Sequence, residues 1–414
     1  MKKQILLIIC VLSTLVSCSL SNEENIFDES SANRLTAELK LSKALLIGPK
    51  NGWLMEYYPA GTSTLVGGYN IFAAFSEDGN VTISSEIAGN EDKVESLYSL
   101  KQSAGPVLSF DSHNEIMHFF SDPLNGIGGD FEFTIMTASQ DKIVLSGKRT
   151  NSIVVMTPVK EEVKWSDYLA EVKSIKEHAF LGTYNLIIND VVVTLAEQNY
   201  NTLSFSYTSE DETIISKVIP FIYTPTGIKL MEPFTLNGVT MENFIYDDSD
   251  ISFKCSDIGV SVKLVGVYPA GYKFYEEIEG SYKYGDTKTV QIIANDDNST
   301  YTIKGLSTRY DIQARYVRKT GSISIQFQYL GVYSTYNMYL CPWDSVEGYL
   351  TWASGSGLDG VNNTTEPFTI SFVDNGVYGS ADSFLVYAFS GTPSSSTTVG
   401  TLERIPTPKL IKID

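Results

Sequence analysis

Cys18 stands directly behind Leu15-Val16-Ser17, a step of the kind at which a signal peptide is cut and a cysteine thiol acylated. Lys2 and Lys3 give a positive start, and Ile5 to Val16 form an apolar run of twelve residues. Crossing about 30 Å of hydrocarbon takes roughly 20 residues, so this run reads as a secretory leader and not as a span. Leu-Val-Ser-Cys resembles the bacterial lipobox, whose cysteine takes acyl chains such as palmitate and becomes the first residue of the mature chain. Residues 1–17 are therefore expected to be a signal peptide, Cys18 the lipidation site, and the membrane the first partner.

Other reactive side chains are sparse. His113, His118 and His178 are the only histidines, and the five-residue spacing of His113 and His118 misses the His-x3-His metal pattern. The chain has no His-Glu-x-x-His, no Gly-x-Ser-x-Gly and no phosphate-cradling glycine loop, so no catalytic residue, metal ligand or cofactor is nominated. With 49 acidic residues some carboxylate pair will always lie at glycosidase spacing, which selects none of them. Asp247-Asp248-Ser249-Asp250 and Asn295-Asp296-Asp297-Asn298 offer the hard oxygens calcium takes, yet both sit where Asp and Asn are ordinary turn formers. Cys10 leaves with the leader. Cys255 and Cys341 remain, either as a disulfide or as two separately buried thiols.

Aromatic residues are the richer resource, with 25 Tyr and four Trp. They are densest around Cys341-Pro342-Trp343-Asp344 and Gly348-Tyr349-Leu350-Thr351-Trp352. Trp343, Tyr349 and Trp352 are candidates for stacking on a glycan or another small ligand. The plainer reading is that alternating aromatics pack β cores and cross-strand pairs. Asp344-Ser345-Val346 matches a short Asp-Ser/Thr-aliphatic sequon and nominates Ser345 for O-glycosylation.

The elements that position these residues are mostly strands. At 414 residues with 43% hydrophobic content the chain is long enough for two or three cores. Loss of the leader removes two lysines and no acid, making the chain more negative than its initial net charge of −19, which argues against nucleic acid as a partner. Residues 18–32 read as a lipidated acidic tether, and Ala32–Leu46 as a short amphipathic helix stopped by Gly48-Pro49. Trp53/Met55/Tyr57, Tyr69/Ile71/Ala73/Phe75 and Val81/Ile83 then alternate as strands, with Asp78-Gly79 a hairpin turn. A helical turn is expected at His113–Phe120 and a helix at Trp165–Ala179. Further strands are expected to the chain's end, Tyr349–Trp352 among them. The fold class is all-β with short helices: two or three tandem modules, each an up-and-down, lipocalin-like barrel or a sandwich. The expected modules are 33–160, 161–272 with its leading helix, and 273–414.

Several blocks resemble a known family. Asn51-Gly52-Trp53-Leu54-Met55-Glu56-Tyr57-Tyr58-Pro59, Gly67-Gly68-Tyr69-Asn70, Tyr98-Ser99-Leu100-Lys101, Gly105-Pro106-Val107-Leu108-Ser109-Phe110-Asp111, Pro220-Phe221-Ile222-Tyr223-Thr224-Pro225 and Gly227-Ile228-Lys229-Leu230 are similar to domain of unknown function 4302, a family of Bacteroidota lipoproteins. The resemblance implies an origin in gut-type Bacteroidota, often near starch-utilisation-like importers, and supplies no activity or site residues. The acidic stretch after Cys18 similarly resembles the Bacteroidota export signal for the outer face of the outer membrane, and the sequon at Ser345 is of Bacteroidota type. The resulting expectation is a cell-surface outer-membrane lipoprotein, a non-enzymatic accessory or ligand-binding component of a nutrient-uptake system that contacts a TonB-dependent importer. A structural or adhesive surface protein and a hydrolase with a non-local carboxylate pair stay open as alternatives.

Overall fold

Trp53, Met55 and Tyr57 alternate along the first strand and all three are fully buried, so the period-two pattern sets the inner face of a barrel. The computed structural model describes residues 31–413 apart from 60, 62–65, 90–91, 104 and 209–210. Cys18, the leader and the tether up to residue 30 lie outside the described residues. Two compact units result: the first runs to residue 62 and resumes from Ile71 to Trp165, and the second takes residues 63–70 and everything from Ser166.

In the first unit α1 (Ser31–Leu46) leads into β1 (Trp53–Tyr58), β2 (Tyr69–Phe75), β3 (Asn80–Ser85), β4 (Val94–Gln102) and β5 (Pro106–Phe110). After α2 (Glu115–Ser121) follow β6 (Glu132–Ala138), β7 (Ile143–Gly147) and β8 (Ile153–Pro158). The eight strands pair in sequence order, and β1 closes against β8 with Trp53 opposite Pro158. Gly79, at φ +89°, makes the β2–β3 turn. Asn114 caps α2 by accepting from the N–H groups of Ile116 and Met117 at 3.1 Å. Asp130, 4% exposed, accepts from the N–H groups of Arg149 and Thr150 and the hydroxyl of Ser152, tying the β7–β8 turn to the end of the barrel.

The second unit holds two more closed barrels and a smaller sheet. Following α3 (Trp165–His178), whose Leu169 and Val172 are fully buried, come β9 (Thr183–Ile188), β10 (Val191–Asn199), β11 (Thr202–Thr208) and β12 (Ile214–Thr224). β13 (Gly227–Leu236), β14 (Val239–Asp247), β15 (Ser252–Cys255) and β16 (Val262–Gly266) complete that barrel, with β16 paired back to β9. Segment 66–70 belongs to this unit. The N–H groups of Gly67 and Gly68 donate to the carbonyls of Tyr200 and Phe221 at 2.8 Å, and Asn201 and Asn70 add side-chain bonds to Gly68 and Tyr223.

After α4 (Tyr275–Ile278) the strands interleave. β17 (Gly280–Tyr284), β18 (Lys288–Ala294), β19 (Thr300–Lys304), β20 (Ile312–Val317) and β21 (Ser322–Gln326) run in order. The chain then leaves the barrel for the hairpin β22 (Gln328–Tyr333) and β23 (Tyr336–Trp343), and returns for β24 (Gly357–Asn362) and β25 (Thr369–Asp374). It leaves again for β26 (Ser383–Phe389) and β27 (Thr398–Ile405), and β28 (Lys409–Lys412) closes the barrel between β25 and β17. The two excursions meet as a four-stranded sheet ordered β22-β23-β26-β27. Its inner face (Met338, Leu340, Phe384, Val386, Ile405) packs into the same apolar cluster as Ile292, Ile303, Ile325 and Leu410 of the barrel. All-β architecture with short helices is thus what the chain adopts, as closed barrels and not sandwiches. Tyr349–Trp352 does not form the expected strand: only Leu350 bridges to Trp343, because Asp344 turns the chain by accepting from the N–H groups of Val346 and Glu347.

Candidate functional site

Met338 and Leu340 point into the shared core, so the intervening register of β23 sends Tyr339, Cys341 and Trp343 to the opposite, outer face of the four-stranded sheet. Directly opposed residues across antiparallel strands share a face, and Tyr339 stands opposite Tyr329 of β22 and Tyr387 of β26. Three tyrosines therefore cross three strands in one row. A bulge between Tyr329 and Gly331 lets β22 keep Tyr329 on the outer face while Gly331 lies opposite core-facing Met338.

Further rings join the row. Phe327 lies parallel to Tyr339 at 5.4 Å, Phe389 meets Tyr339 at 5.6 Å and Tyr387 at 5.2 Å, and Trp352 contacts Phe389 at 5.7 Å. Phe389 is the buried hub, Tyr339 and Tyr387 are half-buried, and Tyr329 is 53% exposed. Among the described residues no hydrogen-bond partner holds the hydroxyls of Tyr329, Tyr339 and Tyr387. Three buried tyrosines elsewhere are held: the Tyr57 hydroxyl donates to the Asp130 carbonyl, that of Tyr282 to Ile278 and that of Tyr301 to Tyr275. Partly exposed rings with unbound hydroxyls are equipped to stack on a ligand and to hydrogen-bond it.

Of the residues nominated from sequence, Trp352 joins this cluster directly. Trp343 lies on the same face, farther along β23, with the Arg404 guanidinium 5.3 Å over its ring. Tyr349 is 60% exposed and takes no part in the ring contacts. Ser345 is exposed on the neighbouring turn, where its hydroxyl donates to Asp382 at 2.7 Å. Tyr329, Tyr339 and Tyr387 were not nominated, although a signal was present: Thr320 to Trp343 and Ser383 to Leu402 contain no charged residue, in a chain that is 19% charged.

The other candidates separate. Cys255 and Cys341 are both free thiols, which corrects the disulfide alternative. Cys255 ends β15 in the second barrel beside Asp257, whereas Cys341 is fully buried on β23, where burial pushes its thiol up to about 12. His113 precedes α2 and stacks on His118 at 5.0 Å, and burial lowers the pKa of His118. Asp247 is bound by Lys254 at 2.5 Å and by Ser249, and Asp297 is held down to about 2 by the hydroxyl of Thr300 and the N–H groups of its turn. Those carboxylates are committed to turns, and among the described residues no group of three His, Cys, Asp or Glu side chains gathers to hold a metal ion. A groove of about 380 Å³ in the first unit lies between α1 (Leu39, Lys40, Lys43), the β2–β3 turn and β4. Its Lys43 ammonium is already donated to the Glu77 carbonyl at 2.7 Å. No helix among the described residues is long and apolar enough to cross a membrane.

A family model described as domain of unknown function 4302 matches residues 23–248, and a second, domain of unknown function 4987, matches residues 257–387. The first covers most of the first two barrels, and the second covers the interleaved region as far as Tyr387, short of Phe389, β27 and β28. No curated protein and no solved structure matches the chain.

Proposed function

The chain belongs to the family of domain of unknown function 4302, and from that premise we propose that it is a palmitate-bearing outer-membrane lipoprotein of a Bacteroidota cell surface, a non-enzymatic accessory of a nutrient-uptake system that holds ligand on its aromatic face. The leader, Cys18 and the acidic stretch behind it support the anchor. The ligand reading is carried by the row Tyr329–Tyr339–Tyr387, whose rings are partly exposed and whose hydroxyls are unbound. Capture here is an equilibrium between stacking and release, with no covalent step. Each favourable ring contact contributes about 0.5–1.5 kcal/mol, so several rings are needed for useful affinity.

Two measurements test the reading. Cys18→Ala leaves the protein unacylated and moves it from the membrane to the soluble fraction; continued membrane attachment after that change contradicts the anchor. Mild-detergent purification from the native outer membrane, followed by mass spectrometry, is expected to recover a TonB-dependent importer in stoichiometric amount. Recovery of the protein alone or as its own polymer favours a structural or adhesive role instead.

A further inference from the structure

We propose, resting on the ligand-capture reading above, that the aromatic face takes an uncharged, unbranched saccharide chain laid across the strands along Tyr329, Tyr339 and Tyr387. Neighbouring strands lie about 4.8 Å apart, so the row offers rings at successive steps and suits a ligand that is itself a succession of rings. The three unbound tyrosine hydroxyls distinguish a saccharide from a purely apolar ligand. An apolar molecule would cover those hydroxyls without giving them partners, a loss for each group left unpaired, whereas sugar hydroxyls both donate and accept.

Charge sets the rest of the specificity. β22, β23 and β26 contain no Asp, Glu, Lys or Arg, so these strands offer no cation for an acidic sugar and no carboxylate for a basic one. The net charge of −19 further repels an anionic chain, and Arg404 on β27 already lies over Trp343. Beyond Phe389, residues 390–398 are Ser-Gly-Thr-Pro-Ser-Ser-Ser-Thr-Thr, with Thr392, Ser395 and Ser396 exposed. This loop joins the end of the face through Asn337, whose amide donates to the Gly391 carbonyl at 3.3 Å, and so borders the row with neutral hydroxyls.

The test is calorimetric titration of the detergent-solubilised full chain with uncharged linear hexasaccharides of glucose, xylose, mannose and galactose, their disaccharides, and a galacturonate hexamer. At least one uncharged hexamer is expected to bind, on the order of tenfold tighter than its disaccharide and tighter than the galacturonate. Tyr329→Ala and Tyr387→Ala each weaken it roughly tenfold, Tyr387→Phe weakens it less, and Tyr349→Ala leaves it unchanged. Circular dichroism and an unchanged urea midpoint confirm that the variants fold. Tighter binding of galacturonate, equal binding of disaccharide and hexamer, or affinity indifferent to the tyrosine substitutions overturns the assignment. If the saccharides fail but an uncharged aromatic dye binds and is lost in the tyrosine variants, ligand capture stands and the saccharide class falls. If no probe binds, or if the chain dimerises through Tyr329, both readings fall.

Discussion

Asp130 carries the first barrel's clearest pH dependence. Burial alone raises its pKa, but the hydrogen bonds from Thr150, Ser152 and Arg149 together outweigh that and hold it below the ordinary carboxylate value. The folded state therefore binds this proton less readily than the unfolded chain, whose Asp titrates near about 3.9. The resulting stability is fully present above that pH and is lost as pH falls through the lowered folded value. Asp130→Ala strands the donors of the β7–β8 turn, with an expected loss of about 1–3 kcal/mol in the first unit. Hydrogen exchange of β6–β8 in the full chain checks both effects: protection falls below about pH 4 in the native protein and is already reduced at neutral pH in the variant. Unchanged protection at neutral pH would show that Asp130 does not hold the turn.

At the scale of elements, segment 66–70 has a sharp steric requirement. A Cβ on Gly67 would meet the Asn201 carbonyl oxygen at 1.9 Å and that of Phe221 at 2.6 Å, so only glycine lets this backbone lie flat on the β10–β11 turn. Gly67→Ala is expected to release the segment with a loss of roughly 2–4 kcal/mol, read as faster amide exchange at Gly68 and Phe221 and new proteolysis within 66–70. Retained protection would mean the segment is held by something other than these bonds. Strand and helix identity was largely legible in the residues: Trp53/Met55/Tyr57 alternate into the barrel, and Leu169 and Val172 lie on the buried stripe of α3. What alternation lacks is the identity of the partner strand. β21 and β24 pair although 30 residues separate Gln326 from Gly357, and no local pattern announces that leap. β24, with its two glycines, an Asp and an Asn, also falls below the usual strand propensities. The same limit hid half of the aromatic face: Trp352 was visible by density, but Tyr329 and Tyr387 become neighbours of Tyr339 only through pairing.

For the whole molecule, the shared core of the third barrel and the four-stranded sheet makes a specific demand. Phe384 is fully buried on the sheet's inner face within the cluster that includes Ile292 and Ile303 of the barrel. Phe384→Ala is expected to destabilise by about 3–5 kcal/mol, and exchange protection should fall in β18 and β19 as well as in β23 and β26. Loss confined to the sheet would show two independent cores. The sheet is therefore no detachable appendage, and the aromatic face inherits the stability of the barrel beneath it.

The pairing of β17 with β28 also bears on the order in which the chain is made. The barrel's first strand waits for its last, and the excursions supplying Tyr329, Tyr339 and Tyr387 lie between them. During synthesis the aromatic rings emerge well before β28 exists, and closing so distant a contact is intrinsically slow. The core beneath the aromatic face is thus complete only once β28 has docked, well after the tyrosines it supports have been made.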